Sequence, residues 1–195
     1  LRFHFIGHLQ TNKAKYVAKA ASYVHSVDGA ELARELDKRA RAAGRPVLPI
    51  LLEVNAGLEA QKGGAPAAEV PALVALVRSL PGLELRGLMT MPPFGDPAAA
   101  KRVFAELVRL RDSLGGAAAL PELSMGMTHD FPVAIEEGST LVRVGTAMEH
   151  RRGHGHERLA HQHLLGHFQK KHPQSLRDFY PRIATLCRVV RRQFL

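Results

Sequence analysis

Two turns rich in small residues lie in the stretch SMGMTHDFPVAIEEGSTLVRVGTAM (124–148), one starting at Ser124 and the other at Gly145. Each follows a short apolar run typical of a β-strand. Glycine lets a ligand approach backbone N–H groups closely, and Ser or Thr adds a hydroxyl, a combination that binds anions. The stretch therefore predicts an anion site, with candidate residues Ser124, Gly126 and Thr128 in the first turn and Gly145 and Thr146 in the second.

Arg143 stands two positions before Gly145, so both residues face the same side of the strand. A guanidinium keeps its charge and, inside a protein, must meet an acceptor or an anion. The residues alone leave two interpretations open. Arg143 either binds the anion or forms an internal ion pair beside two ordinary tight turns.

Other polar segments carry weaker signals. Gln10, Asn12 and Lys13 follow the first apolar run, where a polar helix start is the favoured interpretation. Lys62 lies in a long polar turn, where a solvated charge is favoured over a reactive amine. Seven of the eleven histidines fall between residues 150 and 172, but no carboxylate or cysteine pattern accompanies them, so we predict no metal site.

The elements that must position these turns alternate between strands and helices. Strands separated by helices imply parallel pairing, hence a doubly wound sheet or a (β/α) barrel. No G-x-G-x-x-G follows the first strand to support a dinucleotide fold. The position of the two small-residue turns also favours a barrel. In barrels, ligand sites lie at the carboxyl ends of the strands, and phosphate sites follow the last two strands. The predicted strands are 2–7, 24–29, 46–55, 83–91, 120–127 and 140–147, and the main helices are 30–44, 68–80, 97–115 and 130–138.

Two local features are also predicted. The nearly continuous apolar run at 46–55 indicates a strand buried on both faces. Asp130 stands where it could cap the short helix at 130–138.

Composition indicates a globular protein with an unusual tail. Hydrophobic residues make up 46% and charged residues 23%, no apolar run is long enough for a membrane helix, and no signal peptide opens the chain. Of the net charge of +9, residues 149–195 carry +7. The single Cys187 excludes an internal disulfide and favours a reducing, cytoplasmic compartment. We therefore predict two parts, a barrel over 1–148 and a basic, His-rich tail over 149–195.

The chain resembles the pyridoxal phosphate homeostasis protein family, whose barrel is of the alanine racemase N-terminal kind. The matching stretches, in order, are FHFIGHLQTNK, HSVD, LLEVN with QKGG, LRGLMTM and SMGMTHDFPVAIEEGSTLVRVGTA. The resemblance covers residues 1 to 148. It implies an α/β fold, a (β/α)8 TIM-type barrel with its first two strands missing.

The resemblance also implies that the anion is the phosphate of pyridoxal 5′-phosphate (PLP). It implies that Thr128, Gly145 and Thr146 bind the phosphate. Ser124 and Gly126 would shape the turn, and Arg143 would face the pyridine nitrogen. A guanidinium does not protonate that nitrogen as a carboxylic acid would, which weakens the ring as an electron sink. The implied function is storage or transfer of PLP to PLP-dependent apoenzymes, without catalysis.

Two departures from the family lead to further expectations. The family's Schiff-base lysine belongs to a strand upstream of Leu1, so it has no counterpart here, and Lys13 and Lys62 are the alternatives considered. The segment after VGTA is unlike the family. The chain does not begin with Met. We therefore expect a fragment that binds PLP weakly and is unstable or self-associating, because its barrel edges are unpaired.

Two other functions compete with PLP homeostasis. A PLP-dependent racemase would need a lysine and a second acid–base group on opposite faces of the ring. None of the three tyrosines, Tyr16, Tyr23 and Tyr180, lies at a predicted strand end on the active face of the barrel. The basic tail could instead bind nucleic acid, but no aromatic platform or known motif supports that interpretation.

Overall fold

The computed structural model describes residues 3–57 and 63–143 of the chain. The strands are β1 (His4–Phe5), β2 (Tyr23–Val27), β3 (Leu48–Asn55), β4 (Ala65–Pro66), β5 (Leu83–Met89), β6 (Glu122–Met127) and β7 (Leu141–Arg143). The helices are α1 (Ala14–Ala20), α2 (Ala30–Ala42), α3 (Val70–Arg78), α4 (Pro97–Ser113), α5 (Gly116–Ala119) and α6 (Phe131–Glu136). Short 3-10 turns at Thr11–Lys13 and Ala67–Glu69 precede α1 and α3.

The strands form one parallel sheet in the order β1-β2-β3-β5-β6-β7, and the two-residue β4 pairs with β3 beside that path. Apart from β4, neighbours in the sheet are also neighbours in the chain. A doubly wound sheet would reverse its order at a switch point, and this sheet does not. The described residues therefore form a six-strand section of an α/β, TIM-type barrel, which normally has eight strands. The predicted fold class is confirmed.

Helices cover the outer face of the sheet. Helix α2 buries Leu32, Leu36 and Ala40 at helical spacing, and α4 contributes the fully buried Phe104. Asp37, also buried on α2, accepts a hydrogen bond of 2.7 Å from the backbone N–H of Gly82, just before β5. Packing and this hydrogen bond together fix the outer helices on the sheet.

Strand β3 has two buried faces. Alternate residues such as Ile50 and Leu52 join the large core beneath the helices. Leu51 belongs to a separate cluster with Tyr23, Met89 and Leu141, on the inner face of the barrel. The prediction that 46–55 is buried on both faces is confirmed.

Two local features differ from the predictions. Asp130 does stand before α6, but its side chain makes no capping bond there; its Oδ1 accepts from the backbone N–H of Met127 instead, at 2.5 Å, and so tightens the turn after β6. Asp96 does cap a helix: its side chain accepts from the N–H of Ala99 at the start of α4. The two-residue strand β4 was not predicted, because Ala-Pro carries no strand pattern.

Within the two described ranges, no helix combines the length and the apolar character needed to cross a membrane.

Candidate functional site

Arg143, the last residue of β7, lies inside the barrel with 3% of its surface exposed. Its Nη1 donates to Ser124 Oγ at 2.8 Å, and its Nη2 donates to the carbonyl oxygen of Thr90 at 2.9 Å. Thr90 follows β5, and its own hydroxyl donates to the carbonyl of Val54 at 2.9 Å. The guanidinium is therefore held by two neutral oxygens, one within β6 and one just after the neighbouring β5, and these two contacts do not neutralise its charge.

The hydroxyl of Ser124 links Arg143 to a pair of histidines. Its Oγ lies 2.9 Å from His25 Nδ1, and His25 Nε2 lies 3.0 Å from His4 Nδ1. Ser124 and His25 are both fully buried. Burial, together with the nearby His4 and Arg143, lowers the pKa of His25 to about 3, so this imidazole is neutral at physiological pH.

Glu53 lies near the carboxyl end of β3, beside Met89 in the sheet register, and is 4% exposed. Burial, with a further contribution from the charge of Asp28, raises the pKa of its carboxyl to about 7. Arg143 and His8 act in the opposite direction. The carboxyl of Glu53 thus changes charge near neutral pH inside the barrel.

The turn after β6 is tightly packed. Gly126 has a φ of +93°, and a Cβ added there would lie 2.6 Å from the Cβ of Ala134 and 3.0 Å from the Cα of Phe131, both on α6. Only glycine satisfies both the backbone conformation and this packing. Gly126 itself lies in β6, and Thr128, two residues later, is half-buried in the turn after the strand.

The turn after β5 meets the turn after β6. The ring of Phe94 lies edge-on to the ring of His129, with centroids 5.5 Å apart, although Phe94 is 82% exposed. Both turns follow the carboxyl ends of neighbouring parallel strands. The aromatic pair therefore stands at the end of the barrel where ligand sites occur.

The structure brings the predicted site residues together in part. Ser124 and Arg143 are in direct contact; Gly126 lies with Ser124 in β6, and Thr128 lies in the turn that follows β6. Lys13 lies in the 3-10 turn after β1 and is partly exposed. The remaining predicted positions, Gly145, Thr146, Lys62 and the histidine-rich tail, lie outside the described residues.

Sequence reasoning missed the roles of His25, Glu53 and Thr90. A period-two signal was available for His25, because Tyr23 and His25 alternate with the outward-facing Val24 along β2. Their partners could not be read from the chain, since His25 and Ser124 are 99 residues apart.

The opposite end of the strands carries a second polar contact. The phenol of Tyr23, the first residue of β2, donates to Oε2 of Glu122, the first residue of β6. Burial and Glu122 raise the pKa of Tyr23. Arg86 in turn donates to Glu122 Oε1 at 3.3 Å. Tyr23 is therefore engaged at the amino end of the strands, away from the turns.

Among the residues that the structure describes, no group of three or more His, Cys, Asp or Glu side chains could hold a metal ion.

The fold and the residues near the strand ends together define a (β/α)-barrel protein with a candidate ligand site at the carboxyl ends of its strands. The model of the family described as alanine racemase, N-terminal domain, matches residues 2–149. The chain belongs to that family.

Curated relatives within the family share one name. The pyridoxal phosphate homeostasis protein of Aquifex aeolicus is 46% identical over 151 residues, covering 76% of this chain and 66% of that protein. The pyridoxal phosphate homeostasis protein of Pseudomonas aeruginosa is 44% identical over 156 residues, covering 80% of this chain and 66% of that protein. The chain thus spans just under two thirds of the length of these relatives.

A solved structure has a similar fold. PipY of Synechococcus elongatus, with PLP bound, aligns with a TM-score of 0.66 at 35% identity, covering 75% of this chain and 69% of that one. The same protein without PLP aligns with a TM-score of 0.68.

Proposed function

We propose that this chain binds pyridoxal 5′-phosphate and serves in PLP homeostasis rather than in catalysis. The observation that carries the proposal is the buried Arg143, held by Ser124 and Thr90 on the inner face of the barrel. The names of the curated relatives and the PLP bound in PipY support the choice of ligand. Storage or delivery to PLP-dependent apoenzymes in the cytoplasm is part of the same proposal.

The described residues fit the ring end of PLP. A pyridine nitrogen is a hydrogen-bond acceptor, and a guanidinium is a permanent donor that cannot give up its proton. Bound PLP would supply an electrophilic aldehyde and a conjugated ring. Arg143 would leave the ring nitrogen unprotonated, so the chain's own residues would bind and orient the cofactor without enhancing its electron withdrawal.

The phosphate end is assigned to the two small-residue turns. Gly126 allows the close turn after β6, and Thr128 offers a half-buried hydroxyl in it. By the sequence resemblance, Gly145 and Thr146 complete the phosphate site. We also propose that residues 1–148 form the PLP-binding part and that residues 149–195 form a separate basic part, for which nucleic-acid binding is a weaker proposal.

The racemase alternative receives less support. Of the tyrosines in the described ranges, Tyr16 is exposed on α1, and Tyr23 is bound to Glu122 at the amino end of the strands. Neither stands beside Arg143. In the described ranges, therefore, no tyrosine is placed to act as the second acid–base group opposite a lysine.

Titration of the purified chain with PLP, followed by absorbance and by competition with inorganic phosphate, tests the proposal. We expect saturable binding of one PLP per chain that phosphate displaces. Arg143→Met should weaken PLP binding about tenfold or more, since it removes charge-assisted hydrogen bonds. Arg86→Gln, which removes a guanidinium at the other end of the strands, is the matched control and should bind PLP like the parent.

Folding of the Arg143 variant needs a check by circular dichroism, and Thr128→Val provides a second, less buried test in the adjacent turn. Borohydride reduction and mass spectrometry would then show whether one lysine, such as Lys13 or Lys62, is labelled stoichiometrically. Absence of saturable binding by the parent chain would refute the proposal.

A further inference from the structure

The contact between His25 and Ser124 lies one step away from the proposed ligand group. His25 does not touch Arg143 in the hydrogen bonds described above; it touches the hydroxyl that Arg143 uses as acceptor. His25 and Ser124 are fully buried and Arg143 is 3% exposed. Solvent therefore cannot readily replace a hydrogen bond lost from this set.

The available protons and lone pairs limit how Arg143, Ser124 and His25 can be hydrogen-bonded to one another. Arginine only donates, so Ser124 Oγ accepts from Nη1 of Arg143. The hydroxyl keeps one proton and one further lone pair, and either can face His25 Nδ1. Because the neutral imidazole has one N–H, the chain runs either from Ser124 to His25 to His4 or in the reverse direction. In both directions the hydroxyl is held between His25 and Arg143.

Without the His25 contact, the Ser124 hydroxyl could adopt other side-chain rotamers. A serine side chain has three staggered positions, and the His25 contact selects the one in which Oγ lies 2.8 Å from Nη1 of Arg143. The other anchor of Arg143, the Thr90 carbonyl, fixes Nη2 alone. Anchors on both terminal nitrogens hold the guanidinium plane more tightly than the Thr90 anchor would without that of Ser124.

We propose that His25 is a positioning residue of the ligand site, acting through Ser124 to orient Arg143 toward the ring of the bound cofactor. This inference rests on the proposed function, because it assigns Arg143 to the pyridine ring. It adds a residue on β2, far from both small-residue turns in the sequence.

Two substitutions at one position separate the two nitrogens of His25. His25→Asn places its amide near the position of Nδ1 and can keep the contact with Ser124. His25→Gln places its amide near Nε2 and keeps the His4 side while losing Ser124. We expect PLP affinity within roughly threefold of the parent for His25→Asn and about tenfold weaker for His25→Gln.

Two readouts distinguish positioning from a general loss of structure. The absorption band of bound PLP should shift in His25→Gln, because the ring meets a differently oriented guanidinium. Affinity for inorganic phosphate should stay within about twofold, since the phosphate turns do not involve β2. Tyr23→Phe, on the same strand and inner face, is the control and should leave both the band and the affinity unchanged.

A double-mutant cycle with Ser124→Ala completes the test. If His25 acts through the Ser124 hydroxyl, adding His25→Gln to Ser124→Ala should weaken PLP binding no further. Additive losses, an unchanged His25→Gln variant, or equal losses of PLP and phosphate would each overturn the positioning role while leaving PLP binding itself intact. A parent chain that binds no PLP would overturn the proposed function as well.

Discussion

The phenol of Tyr23 donates a hydrogen bond to Oε2 of Glu122, joining the first residue of β2 to the first residue of β6, 99 positions later in the chain. The ring of Tyr23 also stacks on His4, with centroids 5.0 Å apart and planes 16° from parallel. The Tyr23–Glu122 hydrogen bond connects β2 to β6 at the amino end of the inner face, and the Ser124–Arg143 hydrogen bond connects β6 to β7 nearer the carboxyl end. His4 links the two ends, because it also lies 3.0 Å from His25 Nε2; a substitution that keeps the Tyr23 ring therefore tests the Glu122 contact while leaving the stack in place.

Tyr23→Phe should destabilise the protein by about 2 kcal/mol, because the ring remains while a hydrogen bond to a carboxylate is lost. Urea denaturation followed by circular dichroism measures the change. Tyr16→Phe makes the same chemical change on an exposed ring, and we expect an effect of at most about 0.5 kcal/mol. Equal effects of the two substitutions would show that the Glu122 contact contributes nothing.

Glu53→Gln should change how stability depends on pH. The pKa of Glu53 in the folded protein, about 7, lies above its ordinary value of 4.5, so the folded state holds this proton more tightly than the unfolded state. Stability therefore falls as pH rises from about 4.5 to 7 and reaches a constant cost of roughly 3 kcal/mol above that range. The variant lacks this cost.

The free energy of unfolding of Glu53→Gln should match that of the parent near pH 4.5 and exceed it at pH 8. Glu106→Gln, on the exposed surface of α4, is the control for losing one negative charge. A constant difference between Glu53→Gln and the parent across this range would contradict the raised pKa.

Gly126→Ala should destabilise the protein by about 3 kcal/mol, since it combines a strained positive φ with a clash against α6. Gly138→Ala is the matched control, because Gly138 has the same φ of +93° and nothing within 4 Å of its added Cβ. We expect about 1 kcal/mol for the control, from the backbone alone. The difference between the two variants, measured by urea denaturation, gives the cost of the clash.

Asp37→Ala should cost about 2 to 3 kcal/mol, because it leaves the N–H of Gly82 without its acceptor and breaks the buried side of the pair with Arg41. Asp112→Ala removes a carboxylate that is 55% exposed and should change stability by at most about 0.5 kcal/mol. Thermal unfolding of both variants against the parent is sufficient to compare them. Similar melting temperatures for the two would contradict the role given to Asp37.

The strands were predictable because their apolar runs are long and bounded by turn residues, as at 46–55 and 83–91. Helix α4 was predictable from Pro97 at its start and its apolar spacing. The register shifts between neighbouring strands were not predictable from the sequence. Gly87, for example, lies so close to β6 that an added Cβ would stand 1.7 Å from the carbonyl oxygen of Glu122, an approach that no local pattern signals.

The candidate site was predictable where chemistry and spacing coincide in one segment. Ser124 and Arg143 lie on consecutive strands of the chain, so their common inner face follows from parallel pairing and the period of two. Thr90 directly follows β5, the strand that pairs with β6, whereas His25 and Glu53 lie on β2 and β3, which do not pair with β6 or β7. Their contacts are tertiary, and the sequence of each strand alone does not contain them.

The order of the sheet has a consequence for how the protein is made. After β1, each strand of the path β1-β2-β3-β5-β6-β7 pairs with one that the ribosome has already released, so the sheet can assemble in the direction of synthesis. Arg143 belongs to the last strand of this path. The acceptors on Ser124 and Thr90 precede Arg143 along this path, so in this order of assembly a ligand that requires Arg143 would be retained once the earlier strand pairs have formed.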